Sequence, residues 1–158
     1  MSRPKAKLHE VPIVATKDDS GIRFTPRSDL WDDPSGSLHF HKDHHGLRKA
    51  DYHLAEFVLD DRSGEGLKFP RVPHDAMWVA AAQAGEAKCP DKNSVSNYEV
   101  LEPISVSDDG KRLIVRNDNP RSERWGFTLN FTKRGADEAD VDSYVSWDPI
   151  IDNHNGGS

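Results

Sequence analysis

The chain has 158 residues, of which 35% are hydrophobic and 30% are charged, and its formal net charge is −6. A chain of this length can bury a core as one domain without disulfide or metal support. The acidic balance argues against nucleic acid as a partner, because nucleic-acid binding depends on a concentrated positive face. The single cysteine, Cys89, excludes an internal disulfide and fits a reducing compartment.

The N-terminal half contains several short candidate strands. Residues 1 to 10 are expected to form a flexible tail, followed by an apolar run from Val11 that Pro12 interrupts. That run is too short for a signal peptide or a membrane span, so we expect a soluble, cytoplasmic protein with no membrane contact. The candidate strands in this half are Val11 to Thr16, Gly21 to Thr25, Tyr52 to Leu59 and Leu67 to Phe69, with the last two forming a hairpin.

The segment from Ala76 to Ala87 has two interpretations. Its alanines favour a helix that Asp75 would cap. Its Met-Trp-Val run and Gly85 favour a strand that ends in a turn instead. Short apolar runs do not separate these alternatives.

The C-terminal half has a clear β pattern. Phe127, Leu129 and Phe131 alternate with polar residues, which places the three apolar side chains on one face of a strand. The turn signal Asp108-Asp109-Gly110 predicts a hairpin. Its arms would be Tyr98 to Val106 and Arg112 to Arg116, a last strand would run from Tyr144 to Ile151, and residues 153 to 158 would form a second tail.

Short strands separated by turn signals predict an all-β protein, with a sandwich preferred over a barrel. We expect about seven to nine strands and at most one short helix. The predicted organisation is a single domain over residues 11 to 152, flanked by the two tails.

Two dipeptides, Glu102-Pro103 and Asp148-Pro149, occur in the strand-like segments YEVLEPISV and YVSWDPIIDN, with RLIVRNDNP and GFTLNF between them. In this combination the chain resembles the uncharacterised bacterial DP-EP family over roughly residues 98 to 153. The last segment is also similar, more weakly, to the closing strand of the PixA/AidA-type inclusion-body proteins. The resemblance implies an immunoglobulin-like or cupredoxin-like sandwich and brings no catalytic residue. Both prolines suit edge strands, and both carboxylates suit a structural role there.

The segment LHFHKDHHGL contains the pattern His39-x-His41-x-Asp43-His44. It resembles the metal-binding signature of the metallo-β-lactamase-type hydrolases. Histidines at positions i and i+2 of a strand point to the same side, so His39 and His41 are candidate ligands for one metal ion. Asp43 and His44 are two further candidates at the following bend, and a bound zinc or similar divalent metal would activate a water molecule for hydrolysis.

Other features of this segment depart from the hydrolase pattern. The preceding residues 32 to 38 are not a buried apolar strand, and the βαβ alternation of those hydrolases is not visible. The alternative is a surface loop of histidines flanked by Lys42, Arg48 and Lys49. In that interpretation Phe40 faces the core and both neighbouring histidines face solvent.

The sequence therefore leaves two functions open. The first is a binding or self-assembly protein without evident catalytic machinery or a cofactor, which associates with itself or a protein partner through edge strands. The second is a metal-binding protein or small metallohydrolase that uses residues 39 to 44.

Overall fold

The computed structural model describes residues 3–80, 90–93 and 96–154. These residues form eleven strands, one four-residue α-helix and two single 3₁₀ turns. The strands are β1 Ala6–Asp18, β2 Gly21–Pro26, β3 Trp31–Asp32, β4 Ser37–His41, β5 Tyr52–Asp61, β6 Met77–Ala80, β7 Leu101–Val106, β8 Arg112–Asn117, β9 Glu123–Phe131, β10 Val145–Trp147 and β11 Ile150–His154, with helix α1 at Pro73–Ala76.

The strands form two sheets, which confirms the expected all-β sandwich. One sheet has the order β2-β1-β5-β8-β7, and the other has the order β10-β9-β11-β4-β3 with β6 paired to β9. Most neighbours are antiparallel, but β1 pairs with β5 and β11 pairs with β4 in parallel. The strand number exceeds the expected seven to nine, because several strands such as β3 and β10 are only two or three residues long.

The core lies between the two sheets and follows the alternation of the sequence. In β9, Phe127, Leu129 and Phe131 are fully buried, as their spacing predicts. In β5, His53, Ala55, Phe57 and Leu59 point inward while the residues between them are half-buried. Alternate side chains of a strand point to opposite faces, so Ala55, Phe57 and Leu59 lie in one apolar layer, with His53 on the same face.

Two expected strands differ in the structure. Leu67 to Phe69 does not form a hairpin with β5, because Lys68 instead makes an isolated bridge to Thr132 after β9. The expected strand from Tyr144 to Ile151 is divided in two at Asp148-Pro149. The two parts pair with successive segments of β9, and the Pro149 carbonyl accepts a hydrogen bond from the Phe127 backbone N–H.

The structure also bears on the two expected tails and on the segment from Ala76 to Ala87. Strand β1 begins at Ala6, and β11 continues to His154, so parts of both expected tails are paired strands. The start of β1 pairs in parallel with β5, and β11 pairs in parallel with β4. The local sequence does not reveal such pairing, because the partner strands are distant in the chain. The beginning of the Ala76 to Ala87 segment ends α1 and forms β6, while residues 81 to 87 lie outside the described residues, as does Cys89.

The sandwich has two ends, and the one where β5 begins and β11 finishes carries most of the histidines. We call it the histidine end. There β9 begins at Glu123, which pairs with Asn153 next to His154. No helix within residues 3–80, 90–93 and 96–154 is long and apolar enough to cross a membrane.

Candidate metal centre

Two parallel strands bring four potential metal ligands onto one surface. In the register of β4 and β11, His39 is paired with Asp152, and His41 is paired with His154. The residues between them are buried in the core: Leu38 and Phe40 in β4, and Ile151 and Asn153 in β11. Since side chains alternate between the faces of a sheet, the three histidines and Asp152 all lie on the outer face, side by side. We call these four residues the outer quartet.

The nitrogen atoms of the quartet are close enough to share one ion. His39 Nδ1 lies 3.0 Å from His154 Nε2, and ligand atoms of His39, His41 and His154 all lie within 4.8 Å of one another. Zinc binds imidazole nitrogens at ~2.0–2.1 Å, which places two nitrogens of a tetrahedral site about 3.3 Å apart. The strand pairing fixes the backbone, so coordination would need only side-chain rotation.

Asp152 completes the quartet, with its carboxylate facing the same two ring nitrogens of His39 and His154. Its Oδ2 atom lies 3.7 Å from His39 Nδ1, and its Oδ1 atom lies 3.5 Å from His154 Nε2. The Ser37 hydroxyl lies 3.1 Å from His39 Nε2, on the opposite side of the ring. A partner at one ring nitrogen selects the tautomer and leaves the other nitrogen for a metal. Ser37 therefore directs His39 Nδ1 towards His154.

The pKa of His41 is lowered from its usual value, chiefly by burial and then by the charges of His154 and His44. A lowered pKa leaves the imidazole neutral near pH 7. Because a metal binds only the neutral form, His41 loses little affinity for a metal to proton competition at that pH.

Asp43 and His44 lie beside the quartet. They are in the 3₁₀ turn Asp43–His45, which follows β4. The His44 ring stacks on the His41 ring with centroids 4.1 Å apart, and His41, Asp43 and His44 form a second group with ligand atoms within 4.8 Å. All four residues expected from the sequence thus lie in one region, but His39 shares a candidate group with His154 rather than with Asp43 and His44.

The sequence interpretation missed Asp152 and assigned His154 to a tail. The signal that could have found them is local. In Ile151-Asp152-Asn153-His154 the spacing of Asp152 and His154 matches that of His39 and His41, so both pairs have the i, i+2 arrangement of one strand face. Their pairing is a tertiary feature, because it joins residues 113 positions apart in sequence.

Behind the quartet lies a second, internal histidine cluster. Buried His9 and His53 are joined by a 2.9 Å contact between His9 Nε2 and His53 Nδ1. The Asn119 side-chain amide nitrogen lies 3.2 Å from His53 Nε2, on the other side of the ring from His9. The His45 ring packs edge-on against His9 with centroids 4.6 Å apart.

Burial is the largest cause of the low pKa values in this internal cluster. It lowers the pKa of His9 to about 4, with a further contribution from the charge of His45. It lowers the pKa of His53 to about 3, with a further contribution from the charge of His9. Both internal histidines are therefore neutral at pH 7.

A reciprocal amide pair holds β11 against the opposite sheet. Asn117 Nδ2 donates to Asn153 Oδ1 at 2.8 Å, and Asn153 Nδ2 donates to Asn117 Oδ1 at 3.0 Å. Both residues are buried, and Asn153 lies between Asp152 and His154. The pair therefore fixes the strand that carries two members of the outer quartet.

Two members of the quartet, His39 and His41, line a cavity of about 390 Å³ together with residues 29–32, His44 and His45. A metal ion held by these two histidines would lie beside a space that admits water or a small ligand. Catalytic zinc sites have such an open position, whereas structural zinc sites are closed.

The Glu-Pro and Asp-Pro dipeptides lie elsewhere. Glu102 and Pro103 are on β7, an edge strand, and the pairing register shifts between Pro103 and Ser105. Asp148 and Pro149 separate β10 from β11 in the other sheet, where Asp148 Oδ1 accepts a 2.8 Å hydrogen bond from the Thr128 hydroxyl. Pro103 lies on an edge strand as expected, whereas Pro149 precedes β11, an interior strand between β9 and β4. The two carboxylates lie in different sheets.

A scan against protein-family models finds no match, and no curated protein matches the chain. The resemblance to the DP-EP family stays a prediction from the sequence.

Proposed function

We propose that this chain binds one transition-metal ion, such as zinc, on the outer face of β4 and β11. His39, His41 and His154 would supply the imidazole ligands, and Asp152 would act as the fourth ligand. The observation that carries the proposal is the convergence of three imidazole nitrogens within 4.8 Å on two paired strands.

The donor set limits the class of metal. Imidazole nitrogen suits zinc, copper, nickel and iron, while calcium and magnesium prefer sites made of oxygen ligands. Three imidazoles with one carboxylate therefore favour zinc or a neighbouring transition metal. The adjoining cavity also supports an open coordination position, which a hydrolytic role would require.

Self-assembly through edge strands has less support. The edge strands of the five-stranded sheet, β2 and β7, carry Pro26 and Pro103, and β7 has a register shift at its proline. In the other sheet, edge strand β3 has only two residues, and β6 and β10, which pair with β9 at the opposite edge, have four and three. Prolines, bulges and short lengths are features that oppose edge-to-edge pairing. We therefore favour metal binding over edge association.

The proposal is tested by metal content and zinc titration of untagged protein. Plasma mass spectrometry after dialysis without chelator should find about one transition-metal ion per chain. After metal removal, zinc titration should show one site, and His39→Ala or His154→Ala should weaken it by more than the roughly 10–100-fold typical of losing an outer-shell partner.

His74→Ala is the matched control, because His74 is an exposed histidine that contacts Tyr98 and Glu102 rather than the quartet. It should leave zinc affinity unchanged. Absence of saturable zinc binding at micromolar concentrations would refute the proposal, as would an equal loss of affinity in the control.

A further inference from the structure

A second cavity lies at the other end of the sandwich. It has a volume of about 420 Å³ and is lined by the turn at Gly66, by Lys68 and Lys111, and by the segment from Thr132 that follows β9. Strand β9 runs from Glu123 at the histidine end to Phe131, next to this cavity. Nine strand residues extend over about 26 Å, so the two sites are well separated.

The cavity concentrates positive charge on an acidic protein. Lys68, Lys111, Lys133 and Arg134 line it, against one carboxylate, Glu138, although the whole chain has a net charge of −6. Within the described part of the chain, the side chains of Lys68, Lys133 and Arg134 form no salt bridge. Their charges are therefore available to a ligand.

Two nearby acidic residues, Asp61 and Glu65, make their hydrogen bonds or ion pairs with groups outside the cavity lining. Asp61 accepts hydrogen bonds from the backbone N–H groups of Ser63 and Leu67, and Glu65 pairs with Lys17. The Lys111 ammonium donates to the Leu67 carbonyl at 2.6 Å. Since an ammonium has three N–H donors, this contact positions Lys111 and leaves it donors for a ligand.

Two glycines, Gly66 and Gly110, lie against the side chains of Arg134 and Lys68. A Cβ atom at Gly66 would lie 2.9 Å from Arg134 Cβ, and one at Gly110 would lie 2.8 Å from Lys68 Cβ. Both glycines also have positive φ values, of 67° and 72°, a conformation that other residues rarely adopt. The two glycines thus leave room for the side chains of Arg134 and Lys68 beside the cavity.

We infer that this basic cavity binds a phosphorylated small molecule. A guanidinium group can pair with two phosphate oxygens at once, and lysines add compact positive charges around the same group. The cavity volume falls in the range of about 300–1,000 Å³ that is typical of small-molecule sites, so it has room for more than a bare phosphate ion.

The test is calorimetric titration of metal-free protein with pyrophosphate. Removing metal first prevents phosphate binding to an ion at the outer quartet, so this result and the zinc result are independent. We expect one saturable site, which weakens as salt concentration rises. Arg134→Gln and Lys133→Gln should each weaken binding at least tenfold while the circular dichroism spectrum stays unchanged.

Lys49→Gln is the matched control, because it removes one exposed positive charge near the histidine end and changes the net charge equally. It should retain wild-type affinity. Lack of saturable binding at millimolar pyrophosphate would overturn the inference, and so would an equal weakening by Lys49→Gln, which indicates non-specific attraction. Citrate binding as tightly as pyrophosphate would overturn the assignment to a phosphoryl group.

Discussion

Acidification to pH 5 should destabilise the protein through its internal histidine pair. His9 and His53 have folded-state pKa values of about 4 and about 3, whereas an unfolded histidine has a pKa of about 6.5. A lowered folded-state pKa means that the unfolded chain binds protons more readily. The stabilising contribution is therefore complete above pH 6.5 and is lost progressively as pH falls from there towards the folded-state values.

The magnitude follows from these pKa values. At pH 5, protonation of each of these histidines in the unfolded chain raises the unfolding equilibrium constant by a factor of about 30 relative to high pH. This factor corresponds to about 2 kcal/mol per residue. This figure depends mainly on the unfolded pKa, because both folded-state values lie below 5. The two residues together should lower the free energy of unfolding by up to about 4 kcal/mol, a large part of the ~5–15 kcal/mol of a typical domain.

Urea unfolding of metal-free protein at pH 7.5 and pH 5, followed by tryptophan fluorescence, measures this difference. His9→Gln removes one titrating group, so it should reduce the pH dependence by about 2 kcal/mol even if it lowers stability at both pH values. His74→Gln, which replaces an exposed histidine outside the cluster, should retain the full dependence. Equal stability of the wild type at the two pH values would refute the argument, as would an undiminished pH dependence in His9→Gln.

Three further outcomes are expected. Asn153→Ala should lower the free energy of unfolding by about 1–3 kcal/mol, because the buried Asn117 amide loses its reciprocal partner. Zinc titration of the same variant should show weaker binding. Wild-type values in both assays would contradict the role of the amide pair in fixing β11. Phe127→Ala should cost about 3–5 kcal/mol in urea unfolding, since the ring is fully buried, and a loss under 1 kcal/mol would show that the site is poorly packed. Zinc at 100 times its dissociation constant should raise the free energy of unfolding by about 2.7 kcal/mol, and a His154→Ala variant should lose most of this gain in a thermal-shift assay.

The parts of the fold that the sequence predicted are those with a strong local pattern. Strand β9 was predicted because its apolar residues alternate over seven positions, and the β7–β8 hairpin was predicted from its Asp-Asp-Gly turn. Two predictions were wrong: that the first tail extends to residue 10, and that Leu67 to Phe69 forms a hairpin with the preceding strand. Both segments pair instead with residues that are distant in sequence. A short polar strand gives little local signal when its partner lies elsewhere in the chain.

The sequence by itself determined that His39 and His41 share a strand face opposite the buried Phe40, because alternation is a property of the extended backbone. It also determined the net charge, and the alternation of apolar residues that favours a sandwich. Only the tertiary structure placed Asp152 and His154 beside them, through the parallel pairing of β11 with β4. It likewise gathered Lys68, Lys111 and Arg134 around one cavity from three separate segments. Such sites depend on strand order and register, which arise from packing two sheets over a shared core and are not encoded in the spacing of any one segment.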